Sequence, residues 1–265
     1  MLLHRIITIL IAAPIAIYLV LFLTPMHFMW LTILIALWLT WEWSYLIGLQ
    51  QLWSRLLFLA ALMLACVATY FIPIYFILGL SVCFWFLMVI YIKLYPQYTS
   101  QWSSHIWQRV LMAFIAIPSA WLALNLMRGF MHGNFVVLYF FCLVWATDIG
   151  GYISGRLWGK HKLAPNVSPN KTIEGVIGGI LLALLVAILF SWFYHMGTRA
   201  WLLIALAGVT SLSAVAGDLF ISMQKRVRGI KDIGRLLPGH GGLLDRIDGL
   251  VTAAPFFALA AILLG

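Results

Sequence analysis

The sequence predicts an all-α, polytopic integral membrane protein of about nine transmembrane helices, with its N-terminus in the cytoplasm. Three observations carry that expectation. Hydrophobic residues make up 65% of the 265 residues and charged residues only 9%, against about 25% charged in ordinary soluble domains. The apolar residues gather into runs of about 20, the length a helix needs to cross a hydrocarbon core. The basic residues fall almost wholly on one side of the topology those runs define. A soluble enzyme, a disordered chain and a secreted disulfide scaffold are excluded by the first observation. An outer-membrane barrel is excluded by the lack of alternating ten-residue segments.

Breaks at Pro, Gly and charged residues place the helices at 5–24, 27–48, 55–72, 74–92, 107–127, 134–154, 174–194, 200–221 and 246–264. The first run resembles a signal peptide, but Leu23-Thr24-Pro25-Met26 offers no small-x-small cleavage site, so it reads as a retained helix. Pro73 alone separates the third and fourth runs. With the N-terminus inside, only Arg128 and Arg199 of the sixteen Lys and Arg residues fall outside, and the C-terminus lies outside. Cys66, Cys83 and Cys142 sit in apolar runs without metal-ligand spacing. The formal charge of +9 fits the positive-inside rule and anionic lipids. It does not point to nucleic acid, because the basic residues lack an interleaved polar and aromatic pattern.

The carboxylates divide the chain. Glu42 is the only acid in the first 140 residues; Asp148, Glu174, Asp218, Asp232, Asp245 and Asp248 occupy the rest. Residues 1–133 therefore read as scaffold and lipid-facing helices, and 134–265 as the part that carries chemistry. Glu42, within Trp41-Glu42-Trp43, reads either as a partner for a helix-end arginine such as Arg55 or as a substrate contact.

Four segments hold the candidate site. Asp148, Tyr152 and Arg156 share one face of the sixth helix, beside a Gly151/Gly155/Gly159 stripe suited to close packing. Asp148 reads as a functional acid or as a structural ion pair with Arg156 or a neighbour. The stretch 159–175 reads as a loop. It carries Lys160, His161, Lys162, Ser168, Lys171 and Thr172 up to the entrance of the seventh helix, where free N–H groups attract anions. Gly175 and Gly179 form a further packing element. Asp218, Ser222 and Lys225 align along the eighth helix. Pro238-Gly239-His240-Gly241-Gly242 then leads into Asp245, Arg246 and Asp248 at the start of the ninth. Acids in a first helical turn offset the macrodipole by about 0.3–1 kcal/mol, too little to explain two of them beside a glycine-rich turn, an arginine and a histidine.

Carboxylates from separate helices at matching depth suit Mg²⁺, a hard ion held by one or two carboxylates plus substrate phosphates. The neighbouring Lys and Arg residues suit a polyphosphate. No Walker A sequence, zinc-protease motif or Ser-His-Asp order is present. The combination points to phosphoryl or nucleotidyl transfer onto a lipid phosphate. An anionic-solute transporter would show two related halves with discontinuous helices, which the lopsided charge does not favour. A CTP-dependent lipid or polyprenol kinase shares much of the same chemistry.

Ser222-Met223-Gln224-Lys225-Arg226, Lys231-Asp232, Pro238-Gly239-His240-Gly241-Gly242 and Asp245-Arg246-Ile247-Asp248 together resemble the signature of the phosphatidate cytidylyltransferases (CDP-diacylglycerol synthases). Trp41-Glu42-Trp43, Asp148 with Gly155-Arg156, Gly159-Lys160-His161-Lys162, and Ser168-Pro169 with Lys171-Thr172 and Glu174-Gly175 are similar too. Gln224 departs from the family, which usually has an apolar residue there, and so does Ile221, where many members carry an acid; a local change in packing or metal surroundings, not lost activity, is expected. The resemblance implies transfer of the cytidylyl group of CTP to phosphatidic acid, giving CDP-diacylglycerol and pyrophosphate in phospholipid biosynthesis. It implies Mg²⁺, with a second cation such as K⁺, and a homodimer in the cell inner membrane whose active site faces the cytoplasm. Asp218 and Asp245, then Asp148 and Asp248, are the implied metal ligands. Lys225, Arg246 and His240 join Asp218 and Asp245 as implied catalytic groups. Ser168, Lys171, Thr172, Ser222, Arg226, Lys231 and Arg156 are the implied substrate contacts.

Overall fold

The computed structural model describes residues 13–97, 105–195, 197, 200–230, 233 and 242–264. Among the described residues the apolar runs are helical; positions 5–12 of the first run lie outside them. Helix α1 covers Ala13–Phe22, α2 Pro25–Ile47, α3 Leu52–Ala68, α4 Ile74–Leu94 and α5 Ile106–Gly129. Helix α6 covers Gly133–Trp158, α7 Ile173–Phe193, α8 Ala200–Val227 and α9 Leu244–Leu264. Among the described residues, α2 to α9 are long and apolar enough to cross a membrane, the span of α3 including the short 3₁₀ turn Thr69–Phe71 that follows it. The protein is an all-α polytopic membrane protein.

Local chemistry sets the ends. Thr24 caps α2 by accepting from His27 N at 3.3 Å, with Pro25 at the first helical position. The helix stops at Gly48, whose φ of +96° is a left-handed value that glycine adopts without penalty. Pro73 separates α3 from α4, as the sequence suggests. Two helices outrun their apolar stretches. α6 continues to Trp158 and α8 to Val227, because Arg, Lys, Gln and Met favour helix as well as most apolar residues do. These extensions carry Arg156, Lys225 and Arg226 on helical backbone.

One correction concerns the stretch read as a loop. Lys162–Ala164 (β1) and Ser168–Thr172 (β2) form a two-stranded antiparallel hairpin with a register irregularity. Pro165, Asn166, Pro169 and Asn170 look like turn residues in sequence, and a short two-stranded edge tolerates such prolines.

Helix packing follows side-chain size. On α7, Gly175, Gly179, Ala183 and Ala187 are buried at four-residue spacing, while Ile177, Leu181, Leu185 and Ile188 are exposed on other faces. The buried stripe meets the glycines of α6. A Cβ on Gly150 would lie 2.6 Å from Gly178 O, and one on Gly179 would lie 2.6 Å from Thr147 O. This is the small-residue approach of membrane helices. Hydroxyls add cross-helix bonds, with Thr147 Oγ1 donating to Ser211 Oγ at 2.9 Å and Tyr139 OH to Leu203 O at 2.7 Å. Beneath the polar end of α8, Phe220 packs edge-on against Trp85, with ring centroids 5.2 Å apart, and against Trp43 at 6.2 Å. Gln224, where an apolar residue was expected, is buried and turns its amide nitrogen to Met112 Sδ at 3.4 Å.

Candidate active site

The site begins at a close approach between α8 and α9. A Cβ on Gly217 would lie 2.7 Å from Asp248 O, so the glycine lets the backbone of α9 come in beside Asp218. From the other side β2 carries Lys171, and its last residue, Thr172, caps α7 by accepting from Gly175 N at 3.1 Å. The cap fixes the preceding residue, and Lys171 Nζ forms an ion pair with Asp218 Oδ2. Ser222, one turn along α8, donates to Asp218 Oδ1 at 3.4 Å. Asp148 on α6 feels the charges of Asp218 and Lys171. Asp248 feels Asp218, Lys171 and Asp148. Three helices and the hairpin therefore bring three aspartates and one lysine into a single electrostatic cluster.

Asp245 lies in a second cluster. Lys225 Nζ donates to its Oδ1 at 2.7 Å, and its Oδ2 accepts from Ile233 N at 3.1 Å and Gly242 N at 3.2 Å. The Asp245 side chain is only 7% exposed. Three of its roughly four acceptor positions are filled from within the protein. Asp218 and Lys225 are seven residues apart on α8, about 10 Å along the axis, so the two clusters are stacked on one helix.

Glu42 is not paired with Arg55. Its carboxylate accepts from Leu243 N at 2.9 Å, from Leu244 N at 2.7 Å and from the Trp38 indole at 2.9 Å. It is 4% exposed. Arg55 instead donates to Leu49 O and lies over the Trp41 ring. Glu42 thus supplies from α2 the carboxylate cap that α9 needs at its N-terminus. Gly242 leaves room for it, since a Cβ would come within 2.6 Å of Glu42 Oε2 and displace the carboxylate. No sequence signal links positions 201 residues apart. The nearest hint is a lone acid among the first 140 residues, together with a last helix that lacks a Ser, Thr, Asp or Asn cap.

The hairpin is tied at both ends. Glu174 accepts from Lys160 N at 3.1 Å, His161 N at 3.2 Å and the His161 ring at 2.6 Å. Arg226 Nε donates to Val167 O at 3.3 Å. The other expected contacts are placed as follows. Ser168 is half-buried on β2, opposite Ala164. Thr172 is buried as the α7 cap, against Gly155 and Gly159. Arg156 is exposed and donates to Tyr152 OH at 2.9 Å, not to Asp148. Arg246 is exposed in the first turn of α9. Lys231 and His240 lie outside the described residues.

Among the described residues no three His, Cys, Asp or Glu side chains converge into a ready-made metal cage. An ion that takes one or two carboxylates and completes its shell with phosphate oxygens and water needs no such cage. Asp218, within electrostatic reach of Asp148 and Asp248, has the oxygen donors such an ion takes.

A helical membrane bundle with acids and lysines gathered at one end defines a class: a membrane-embedded enzyme whose site suits phosphate-bearing substrates. The sequence matches the cytidylyltransferase family over residues 3–264. It is 38% identical over 221 residues to the phosphatidate cytidylyltransferase of Pseudomonas aeruginosa, covering 82% of this chain and 81% of that protein. The Haemophilus influenzae protein of the same name is 39% identical over 188 residues, 67% of this chain and 65% of that one. The Staphylococcus haemolyticus one is 34% identical over 200 residues, 66% and 77%. The chain belongs to the cytidylyltransferase family and is a nucleotidyltransferase.

Proposed function

We propose that the protein transfers the cytidylyl group of CTP to phosphatidic acid, releasing pyrophosphate and giving CDP-diacylglycerol for phospholipid synthesis. The observation that carries this is the Asp148, Asp218, Asp248 and Lys171 cluster at the entrance of α7, in a chain similar to phosphatidate cytidylyltransferases over most of its length. A phosphatidate oxygen bonds to the α-phosphorus of CTP as the bond to the β-phosphate oxygen breaks, and pyrophosphate leaves with that electron pair. The nucleophile is already anionic near neutral pH, so no general base is needed. The protein's task is to align two anions and offset their repulsion.

Lys171 has three donors, and its bond to Asp218 leaves others for a phosphate. The α7 N-terminus beside it favours the same charge. Mg²⁺ would be held by Asp218 with Asp148 or Asp248 and would neutralise the triphosphate. Asp245 suits a different part, fixing the glycine-rich segment through Ile233 and Gly242 while Lys225 balances its charge. A second, monovalent cation such as K⁺, a homodimer, and an inner-membrane location with the site facing the cytoplasm belong to the same proposal. The distribution of Lys and Arg supports the orientation, and the placement of all three clustered aspartates beyond residue 133 supports a catalytic C-terminal part.

Label transfer tests the reaction. Purified protein given α-³²P-CTP and phosphatidate should move label into lipid in a Mg²⁺-dependent way, and γ-³²P-CTP should not. Transfer of the γ label would make it a lipid kinase instead.

A further inference from the structure

Away from the aspartates, two arginines come together without an acid. Arg109 lies near the start of α5, and its backbone carbonyl accepts from the Trp43 indole of α2 at 3.2 Å. Its guanidinium Nε and Nη1 are buried and have no hydrogen-bond partner among the described residues. Arg228 follows the last turn of α8. There Gly229, at φ +66°, ends the helix, and Ile230 N bonds back to Lys225 O at 3.0 Å. The Arg228 guanidinium lies on the end of α2, where a Cβ on Gly48 would stand 2.9 Å from Arg228 Cζ. Arg109 feels the charge of Arg228. One turn further in, the same two helices meet where Gln224 reaches Met112. Among the described residues neither arginine pairs with a carboxylate.

Buried donors are nearly always satisfied, and two orphans on one charged group call for an ion or a water. Two guanidiniums held together repel each other; an anion between them offsets that repulsion and fills the donors. The forked guanidinium donors match the oxygens of a phosphate. The level in the membrane points the same way. His105 and Trp107, stacked with ring centroids 6.4 Å apart, are exposed at the start of α5, and such aromatics sit at the headgroup level of a bilayer. Arg228 is exposed, so the place is open to headgroups and to water. It is also apart from the catalytic cluster. Arg228 is ten residues beyond Asp218, about 15 Å along the axis, and α5 contributes no group to the aspartates.

We infer that Arg109 and Arg228 form a second anion site, which takes a phosphate group at the level of the lipid headgroups and bridges the ends of α2, α5 and α8. The site does not depend on the reaction proposed above. Its ligand is the phosphodiester of an acidic lipid or free phosphate, and both present the same oxygens to the arginines. Filled, the site clamps three helix ends together; empty, it leaves two like charges opposed.

Thermal unfolding followed by tryptophan fluorescence tests this on the full-length protein, in phosphatidylcholine nanodiscs without CTP or Mg²⁺. The probes are phosphatidylglycerol mixed into the bilayer and inorganic phosphate in the buffer, each against sodium chloride at the same ionic strength. Without a probe, Arg228→Gln should melt no lower than wild type, because the opposed charges are relieved. With a probe, the wild-type midpoint should rise. Arg228→Gln should need about tenfold more probe for the same rise, the loss of about one charge-assisted hydrogen bond, so the order of the two proteins reverses. Arg109→Gln should behave likewise; Arg228 is at the surface, so its variant carries the test even if Arg109→Gln fails to fold. A response to the lipid alone makes the ligand a headgroup, to inorganic phosphate alone the free ion, and to both a site open to either. Lys171→Ala should keep the response, which separates it from the catalytic cluster. If Arg228→Gln melts below wild type without a probe, the guanidinium is already held from within the protein and the inference is overturned. Equal shifts in wild type and Arg228→Gln, no shift in wild type beyond that of sodium chloride, or a response lost in Lys171→Ala overturn it too.

Discussion

Glu42→Ala tests whether α2 holds the start of α9 in place. Glu42 is 4% exposed and receives Leu243 N, Leu244 N and the Trp38 indole. Truncation leaves two backbone donors at the start of α9 buried without partners, at about 1–3 kcal/mol each. Loss of a carboxylate from the positive end of a helix adds about 0.3–2 kcal/mol. The expected loss is therefore about 2–8 kcal/mol, large against the whole stability of a typical protein, about 5–15 kcal/mol. Glu42→Gln keeps one acceptor oxygen but turns an NH₂ toward the other donor, so about 1–3 kcal/mol is expected. Unfolding in mixed detergent, followed by tryptophan fluorescence, measures the stability. Turnover at saturating CTP on the folded fraction measures the site. The glutamine variant should stay folded and lose turnover at least about tenfold, because Gly242, Leu243 and Leu244 lead directly into Asp245 and Asp248. A Glu42→Ala protein within about 0.5 kcal/mol of wild type and fully active would refute the reasoning.

Asp218→Asn should abolish Mg²⁺-dependent turnover while the bundle still folds, since Lys171 loses its charged partner but not a buried apolar contact; near-normal rates would remove Asp218 from the metal site. Lys225→Met should destabilise by about 3–5 kcal/mol, because Asp245 is left as an uncompensated buried charge. Adding Asp245→Asn should recover part of that stability but not activity, and a double variant no more stable than Lys225→Met would show that the pair does not balance itself. Gly179→Leu should separate α6 from α7, because a Cβ there already meets Thr147 O at 2.6 Å; loss of folded protein on size-exclusion chromatography is expected, and a well-folded, active variant would contradict the packing.

Much of the architecture can be read from one-dimensional quantities. Hydropathy summed along the chain located the helices, with Pro73 placed correctly as the break between α3 and α4. The ends of α6 and α8 were set short, because hydropathy falls at Arg156 and Lys225 while helix propensity does not. The β1–β2 hairpin was hidden by its own prolines. Small-residue spacing on α6 and α7 correctly marked a close contact, since only small residues let two backbones approach that far. The site residues were legible as residue types, and less so as partners. Order along the chain offers Asp148 the nearby Arg156, but in the fold Arg156 bonds Tyr152 and the charges acting on Asp148 are Asp218 and Lys171. Glu42 was weighed against Arg55 and against substrate, and it caps α9.

The sequence by itself determined that the chain is a helical membrane protein, where its spans fall and which family its motifs resemble, because hydropathy and motif spacing are properties of the chain read in order. Only the tertiary structure decided that the aspartates separate into an Asp148, Asp218 and Asp248 group around Lys171 and an Asp245–Lys225 pair, and that an acid from the second helix holds the start of the ninth. Those pairings depend on which helix faces which and how closely they approach. That is settled at contacts such as Gly217 against Asp248 and Gly242 against Glu42, between positions whose separation along the chain carries no trace of it.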